Sequence, residues 1–427
     1  MGTYIKDVVF VAGKAAYYFD DQAAIKRGAS QNGFIYSGQT HTVGFDSVRQ
    51  PGESISILLI LSSDQVAKGD CVAVQYSGAG GRDLLFTSNY FIPFLEEHIK
   101  PLLLKRKVNS FLQNAQFFDQ LKIDGQLLHT AIRYGLSQAL LDAAAIANKK
   151  TRTEVICAEY NLPIKPERIG IFGQSGDDRY LAVDKMILKE VESLPHALIN
   201  NVENKLGQEG EILRDYLIWL KERVFSVRNS EDYLPDIHID VYGTLGMIFN
   251  NNIVAIAEYI DQLQGLLLPL KLYIEGPIDM GEKEKQIQEL KKIKDHLAIL
   301  GSSAKIVADE WCNTYQDIVA FVDARCCHMV QIKTPDLGSL HNTIEAVLYA
   351  KENDIEAYQG GTCNETEVSA QACVQVALAC RPQRLLAKPG MGFDEGMTIV
   401  NNELQRTIAL LQRAAKAMSQ QSLEMTG

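Results

Sequence analysis

Tryptophan is almost missing from the chain, with two in 427 residues, and no apolar run is long. The first shortage leaves few flat platforms on which sugars could stack. The second excludes a membrane-spanning helix, which needs about 18 to 20 consecutive apolar residues. The run ISILLIL at 55–61 falls far short of that. Clustered basic residues are missing too. The formal net charge is −11, whereas gripping a nucleic-acid backbone takes a concentrated positive surface. KKIKDH, which starts at Lys291, reads instead as the solvated face of a helix.

No basic segment followed by an apolar stretch and a small-residue cleavage site opens the chain. Position 6, where a myristoylation signal carries Ser or Thr, is Lys6. The eight cysteines include no Cys-x-x-Cys pair and no zinc spacing. They are expected to be reduced and mostly buried, in a cytoplasmic protein.

What is present is enough for two domains. Apolar residues make up 46% and charged residues 22%, values that place the chain among globular proteins. Residues 1–165 carry apolar stretches at 55–61 and 70–76 between turn-rich segments, which suggests an antiparallel sheet. A helical stripe over 126–148 follows, with Leu128, Ala131, Ile132, Leu136, Ala139, Leu140 and Ala143 on one face. Sheet first and helices after is an α+β arrangement. Pro163 and Pro166 mark its end.

Over 166–415 the pattern alternates. Strand-like runs occupy 168–174, 236–242, 270–276, 304–310, 328–334, 355–361 and 384–390, with a weaker one, HALIN, at 196–200. Amphipathic stretches at 211–227, 252–267, 282–299, 338–352 and 365–380 separate them. Eight strands with helices between them predict a (β/α)₈ TIM-like barrel, so the fold class is α/β behind an α+β capping domain. A doubly wound open sheet is the structural alternative. Residues 416–427 read as a polar, frayed tail.

The strand ends carry the chemistry. Successive runs end on Asp240, Glu275, Asp309 and Lys333, which are 35, 34 and 24 residues apart. Strands that lie side by side in a barrel share one C-terminal rim. Three carboxylates on that rim repel one another unless a cation neutralises them. With no Cys or His adjoining them in sequence, the oxygens suit Mg²⁺ or Mn²⁺. A lysine inside an apolar strand is rare. Beside a cation and partly desolvated, Lys333 should have a lowered pKa and act as a base; a structural salt bridge to one of the acids is the alternative.

Gln331, two residues before Lys333, faces the same way. His196 stands where a second strand would end, as an acid, a base, a donor to a substrate carboxylate, or a structural histidine. His238 alternates with Ile237 and Ile239 and should line the barrel. SGAGGRD (77–83) lacks nucleotide-loop spacing and suits a loop closing over the rim. In GGTCNET (360–366) the backbone amides and Thr362 suit an anion, and Cys363 offers its amide rather than its sulfur.

The segments AVQYSGAGGRD, QSGDDRY, LPHALINN, HIDVYGT, IEGP, VADEWCNT, MVQIKTPDLG, YQGGTCNET and LAKPGMG together resemble the 3-methylaspartate ammonia-lyases of the enolase superfamily. The resemblance runs from near Tyr17 to about residue 405. It implies a capping domain and a modified (β/α)₈ barrel, a homodimer, Mg²⁺, and K⁺ as activating monovalent cation. It also implies elimination of ammonia from threo-3-methyl-L-aspartate, giving mesaconate through an enolate-like intermediate. By position, Asp240, Glu275 and Asp309 would hold Mg²⁺, Lys333 would take the C3 proton, and His196 would serve the opposite face. Gln75, Gln174, Gln331, Thr362 and the Cys363 backbone would hold the amino and carboxylate groups. Phe172, Tyr358 and Leu386 would border the methyl group.

Three alternatives remain at this level. Another lyase or racemase of the superfamily would share the rim carboxylates. A retaining glycosidase would use Glu275 and Glu310 as its pair. A binding protein would have kept the fold without the chemistry.

Overall fold

The structure, a computed structural model, describes residues 2–74, 83–176 and 178–426. Eight parallel strands form a closed barrel: Gly170–Phe172, Ser193–Leu198, Asp236–Asp240, Leu272–Glu275, Lys305–Ala308, Met329–Ile332, Glu356–Gln359 and Arg384–Leu386. Each pairs with the next, and the eighth closes on the first with Leu386 opposite Phe172. Seven lie within the runs read from the sequence, and the second begins at Ser193, three residues before HALIN. The predicted barrel is borne out, and the open sheet is not.

These strands read as nearly continuous apolar runs because both faces are covered. Outward-pointing Ile237 and Ile239 join the core shared with the helices. Inward, Phe172, Tyr273, Val307, Met329, Tyr358 and Leu386 fill the barrel. The intervening helices include Glu211–Val227, Ile253–Leu267, Lys283–Leu300, Leu340–Glu352 and Glu367–Cys380. Two of these starts follow local side-chain capping. The Asn252 side chain accepts the N–H of Ala255, so the second of these helices begins at Ile253. Thr366 and Ser369 cap each other's backbone at the start of Glu367–Cys380.

The preceding region is a three-stranded antiparallel sheet, with Arg49–Leu61 paired on one side to Ile5–Asp20 and on the other to Val66–Cys71. It packs on the helix Thr130–Asn148. Strand and helix approach so closely that a Cβ on Gly69 would stand 2.3 Å from the Gly135 carbonyl oxygen. No helix among the described residues is long and apolar enough to cross a membrane.

Four local expectations change. The 16-residue strand Ile5–Asp20 was not foreseen, because Val9 and Val11 are exposed and blur the alternation. The expected strand 70–76 is Val66–Cys71; residues 72–74 carry no strand, and 75–76 lie outside the described residues. The helix expected from 126 starts at Thr130, since Gln126–Leu127 pairs with Lys122–Ile123 and the His129 ring accepts the N–H of Ala131. The last helix runs Phe393–Thr426, so its backbone continues through most of the segment read as a frayed tail. That stretch is rich in Ala, Gln, Met, Leu and Glu, all helix formers.

Two acids fasten the first strand's end. Arg49 donates to both Asp20 oxygens at 2.6 and 2.7 Å. Asp21 accepts the N–H groups of Ala24, His41 and Thr42 and the Thr42 hydroxyl. Burial alone would raise its pKa, but these four donors outweigh burial and hold it at about 2. A carboxyl depressed below its unfolded value stabilises the fold above that value, and the gain fades as pH falls through the folded pKa. Asp21→Ala should therefore lower the urea unfolding free energy by about 1–2 kcal/mol at pH 7. Its difference from the wild type should narrow between about pH 4 and pH 2.

Candidate active site

Asp240 and Glu275 end the third and fourth barrel strands. Asp309 and Lys333 follow the last residues of the fifth and sixth, Ala308 and Ile332. All four therefore reach the same rim, and the three carboxylates are buried.

Glu275 is the most heavily bonded. His238 Nε2 lies 2.6 Å from Oε2 and Gln331 Nε2 lies 3.1 Å from Oε1. The Tyr358 hydroxyl donates to both oxygens at 2.9 and 3.0 Å, and His196 Nε2 stands 3.6 Å away. Burial would raise the Glu275 pKa, but the His196 and His238 rings outweigh it and hold the carboxyl well below its usual range. Burial lowers His238 to about 4 against the pull of Glu275, so the imidazole is neutral near pH 7 and offers Nε2–H to the carboxylate. Asp240 is the opposite case. Burial first, then the charges of Glu275 and Asp309, push its pKa well above the carboxylate range.

Asp309 faces Lys333, with 2.5 Å between Oδ1 and Nζ. The lowered lysine pKa was expected beside a cation; the carboxylates by themselves act on the lysine pKa the other way. Burial alone would lower it, but the charges of Asp309, Glu310 and Asp336 outweigh burial and hold the ammonium above the usual range. The surroundings of the carboxylates correct an expectation. They are not all oxygen, because His196 and His238 both reach Glu275. His196, Asp240 and Glu275 each offer a donor atom within 4.8 Å of the others, which is the metal-competent group of three found among the described residues. Asp309 is drawn to Lys333 instead.

His196 lies inside its strand rather than at the end. Pro195 pairs with His238 and Ala197 with Ile239, so His196 is the extra residue of a bulge. Its φ of 46° is in the left-handed region, which a non-glycine residue adopts at a cost. The bulge turns its ring towards Glu275 and against the edge of Phe172, with ring centroids 5.1 Å apart. Both ring nitrogens are buried without a hydrogen-bond partner among the described residues.

Phe172, Tyr358 and Leu386 meet in the barrel interior just below. Phe172 stacks on His238 with 4.5 Å between ring centroids. Gln174 donates to Gly390 O and Met391 Sδ, at 3.4 and 2.7 Å. Thr362 and Cys363 lie between the seventh strand and Glu367–Cys380, as the sequence suggested. The Thr362 hydroxyl accepts the N–H of Asn364. Burial pushes the Cys363 thiol up to about 12, which suits a group that does no nucleophilic work. Gln75 and most of the 77–83 loop lie outside the described residues.

Sequence reasoning put His238 in the barrel but missed its bond to Glu275. The signal was there. His238 is two residues before Asp240 on a strand, hence on the same face. It also missed Lys388 and Glu365, a fully buried ion pair 2.7 Å apart in the loops after the eighth and seventh barrel strands. The rarity of lysine in an apolar run, which singled out Lys333, applies equally to RLLAKPG.

Comparison with known proteins agrees over nearly the whole chain. Residues 3–161 match the family model for the methylaspartate ammonia-lyase N-terminus, and residues 163–413 match the model for its C-terminus. Methylaspartate ammonia-lyase of Citrobacter amalonaticus is 64% identical over 408 residues, covering 96% of this chain and 99% of that protein. Its crystal structure containing (2S,3S)-3-methylaspartic acid matches with a TM-score of 0.95, over 96% of this chain and 100% of that one. The Mg complex of β-methylaspartase from Clostridium tetanomorphum is 52% identical and matches with a TM-score of 0.94, over 96% of this chain and 100% of that one. Muconate cycloisomerase from Pseudomonas fluorescens, 14% identical with a TM-score of 0.58 over 88% of this chain and 84% of that one, shares the fold.

Proposed function

This chain belongs to the methylaspartate ammonia-lyase family, and from that premise we propose that it removes ammonia from threo-3-methyl-L-aspartate, giving mesaconate, in a reversible reaction. The observation that carries the reading is the rim itself: three buried carboxylates beside one lysine largely withdrawn from solvent and one histidine whose buried ring nitrogens have no hydrogen-bond partner among the described residues.

The donor set fits a hard divalent cation. Asp240, Glu275 and Asp309 offer oxygens from adjacent strands, and burial together with the charges of Glu275 and Asp309 raises the Asp240 pKa. We assign these three as ligands of Mg²⁺. Bound there, the ion supplies Lewis-acid charge to a substrate carboxylate, which offsets the second negative charge created when the C3 proton leaves.

Lys333 is the base that takes the C3 proton, and His196 works from the opposite side, on the other C3 epimer and on a carboxylate. What supports the pairing is their placement on the sixth and second of eight strands, half-way round the ring from each other. Lys333 abstracts a proton only as a neutral amine, so Asp309 cannot remain its full counter-ion during turnover. General-base action of this kind contributes about 10²–10⁴-fold.

Gln75, Gln174, Gln331, Thr362 and the Cys363 backbone hold the amino and carboxylate groups, and Phe172, Tyr358 and Leu386 bound the methyl group. Gln331 Oε1, buried and without a hydrogen-bond partner among the described residues, is well suited to accept from a substrate ammonium. The reading extends to K⁺ as an activator, a homodimer, a cytoplasmic location, and a division near residue 165 into capping and catalytic domains. The stretch 162–169, which carries neither helix nor strand, supports that division.

The direct test is ultraviolet detection of mesaconate from threo-3-methyl-L-aspartate with Mg²⁺ and K⁺. Product should form and EDTA should abolish it; product formation unaffected by EDTA, or none at all, rejects the proposal. Lys333→Ala should lose elimination from the threo substrate by at least about 10²-fold while still binding Mg²⁺ in a calorimetric titration. Undiminished turnover in that variant removes Lys333 from the base role.

A further inference from the structure

The loops after the sixth, seventh and eighth barrel strands carry a second group of charges that the elimination does not use. Thr334, Glu365, Lys388 and Tyr134 are all fully buried. Lys388 Nζ donates to Glu365 Oε1 at 2.7 Å and to Thr334 Oγ1 at 2.8 Å. The Thr334 hydroxyl donates to the same Glu365 oxygen at 2.8 Å, and the Tyr134 hydroxyl reaches both Glu365 oxygens at 3.2 and 3.1 Å. Thr334 thus accepts from a cation and donates to an anion, so its side chain has one favourable orientation.

Thr334 directly follows Lys333. The Lys333 carbonyl accepts the N–H groups of Asp336 and Leu337, at 3.0 and 3.3 Å, so the backbone turns sharply at this point. The turn fixes the carbonyl, and Thr334 fixes the next side chain. Between them they leave Lys333 little freedom in where its own side chain departs.

Glu365 ties in the rest of the rim. Its carbonyl accepts the N–H of Ala16 from the first strand, and the Cys363 carbonyl accepts the N–H of Gly390 from the loop after the eighth barrel strand. Tyr134 belongs to the helix under the N-terminal sheet. One buried carboxylate therefore joins three barrel loops to the preceding region. A buried ion pair gains little net stability, because desolvation offsets its attraction. Its directional bonds instead determine position.

We infer that Thr334, held between Glu365 and Lys388, is the positioning residue for Lys333, and that the Tyr134 contact makes docking of the N-terminal region part of that positioning. This rests on the reading of Lys333 as the base. A side chain that sets geometry affects turnover more than substrate affinity, since small misplacements of a reacting group are costly.

The experiment uses the full chain with Mg²⁺ and K⁺ and compares wild type, Thr334→Val and Thr334→Ser. Turnover is expressed per Mg²⁺-binding site, so that loss of folded protein does not count as loss of function. Thr334→Val keeps the volume and removes the hydroxyl; kcat should fall by about 10- to 100-fold, with KM and the Mg²⁺ dissociation constant within about threefold of wild type. Thr334→Ser should restore kcat to within about fivefold of wild type, because the hydroxyl returns. Wild-type kcat in Thr334→Val, or a Thr334→Ser as impaired as Thr334→Val, overturns the inference. Should Thr334→Val not fold, Tyr134→Phe decides. A fall in kcat of about threefold or more at unchanged KM supports it, and wild-type kcat refutes it. A wild type that makes no mesaconate rejects the elimination itself, a result distinct from an active wild type with an equally active Thr334→Val.

Discussion

The interaction on which the structure turns is repulsion among Asp240, Glu275 and Asp309, three carboxylates withdrawn from water onto one rim. Like charges in a low-dielectric setting demand compensation, and each of the three finds a different one. Glu275 is surrounded by donors from His238, Gln331 and Tyr358. Asp309 takes the Lys333 ammonium. Asp240 accepts the N–H of Tyr242, and burial with the charges of its neighbours pushes its pKa up. A barrel whose strand ends carried one acid would need none of this. Three make the rim a place where a cation is the simplest remedy.

The layers below serve that rim. Phe172, His238 and Tyr273 stack in the barrel interior, which keeps the ring bonded to Glu275 in one orientation. Arg384 lies over Tyr273 at 4.2 Å and donates to Ser193 and Asp236, closing the stack from the opposite end of the barrel. Bonds to Glu365 from Ala16 and Tyr134 show that the N-terminal region is bonded to the barrel at the height of the rim. Rigid support of this kind holds charged groups where their mutual repulsion would otherwise spread them.

Much of this was legible from spacing. Strands buried on both faces must be apolar, so KIVA and MVQI stand out, and acids just beyond them fall on a shared rim. Ile5–Asp20 was not legible, because a half-exposed strand with outward Val9 and Val11 has no clean alternation. The partners were not legible either. Lys333 finding Asp309, His238 finding Glu275 and Lys388 finding Glu365 are contacts between different strands or loops, and their effect on charge depends on distances that one-dimensional spacing does not carry. A salt bridge from Lys333 to one of the acids was an open alternative, but spacing did not say that Asp309 would be the partner, 2.5 Å away, or how strongly it would raise the lysine pKa. The His196 bulge was equally hidden, since one extra residue in a strand leaves no mark on composition.

Calorimetric titration of EDTA-stripped protein with Mg²⁺ asks whether Asp240, Glu275 and Asp309, the proposed ligands, form one cation site. A single ion should bind per chain in the wild type, with an affinity at least about 10- to 100-fold weaker in Glu275→Gln. A wild type that binds no ion, or a Glu275→Gln that binds it as tightly, rules out a cation site at these carboxylates.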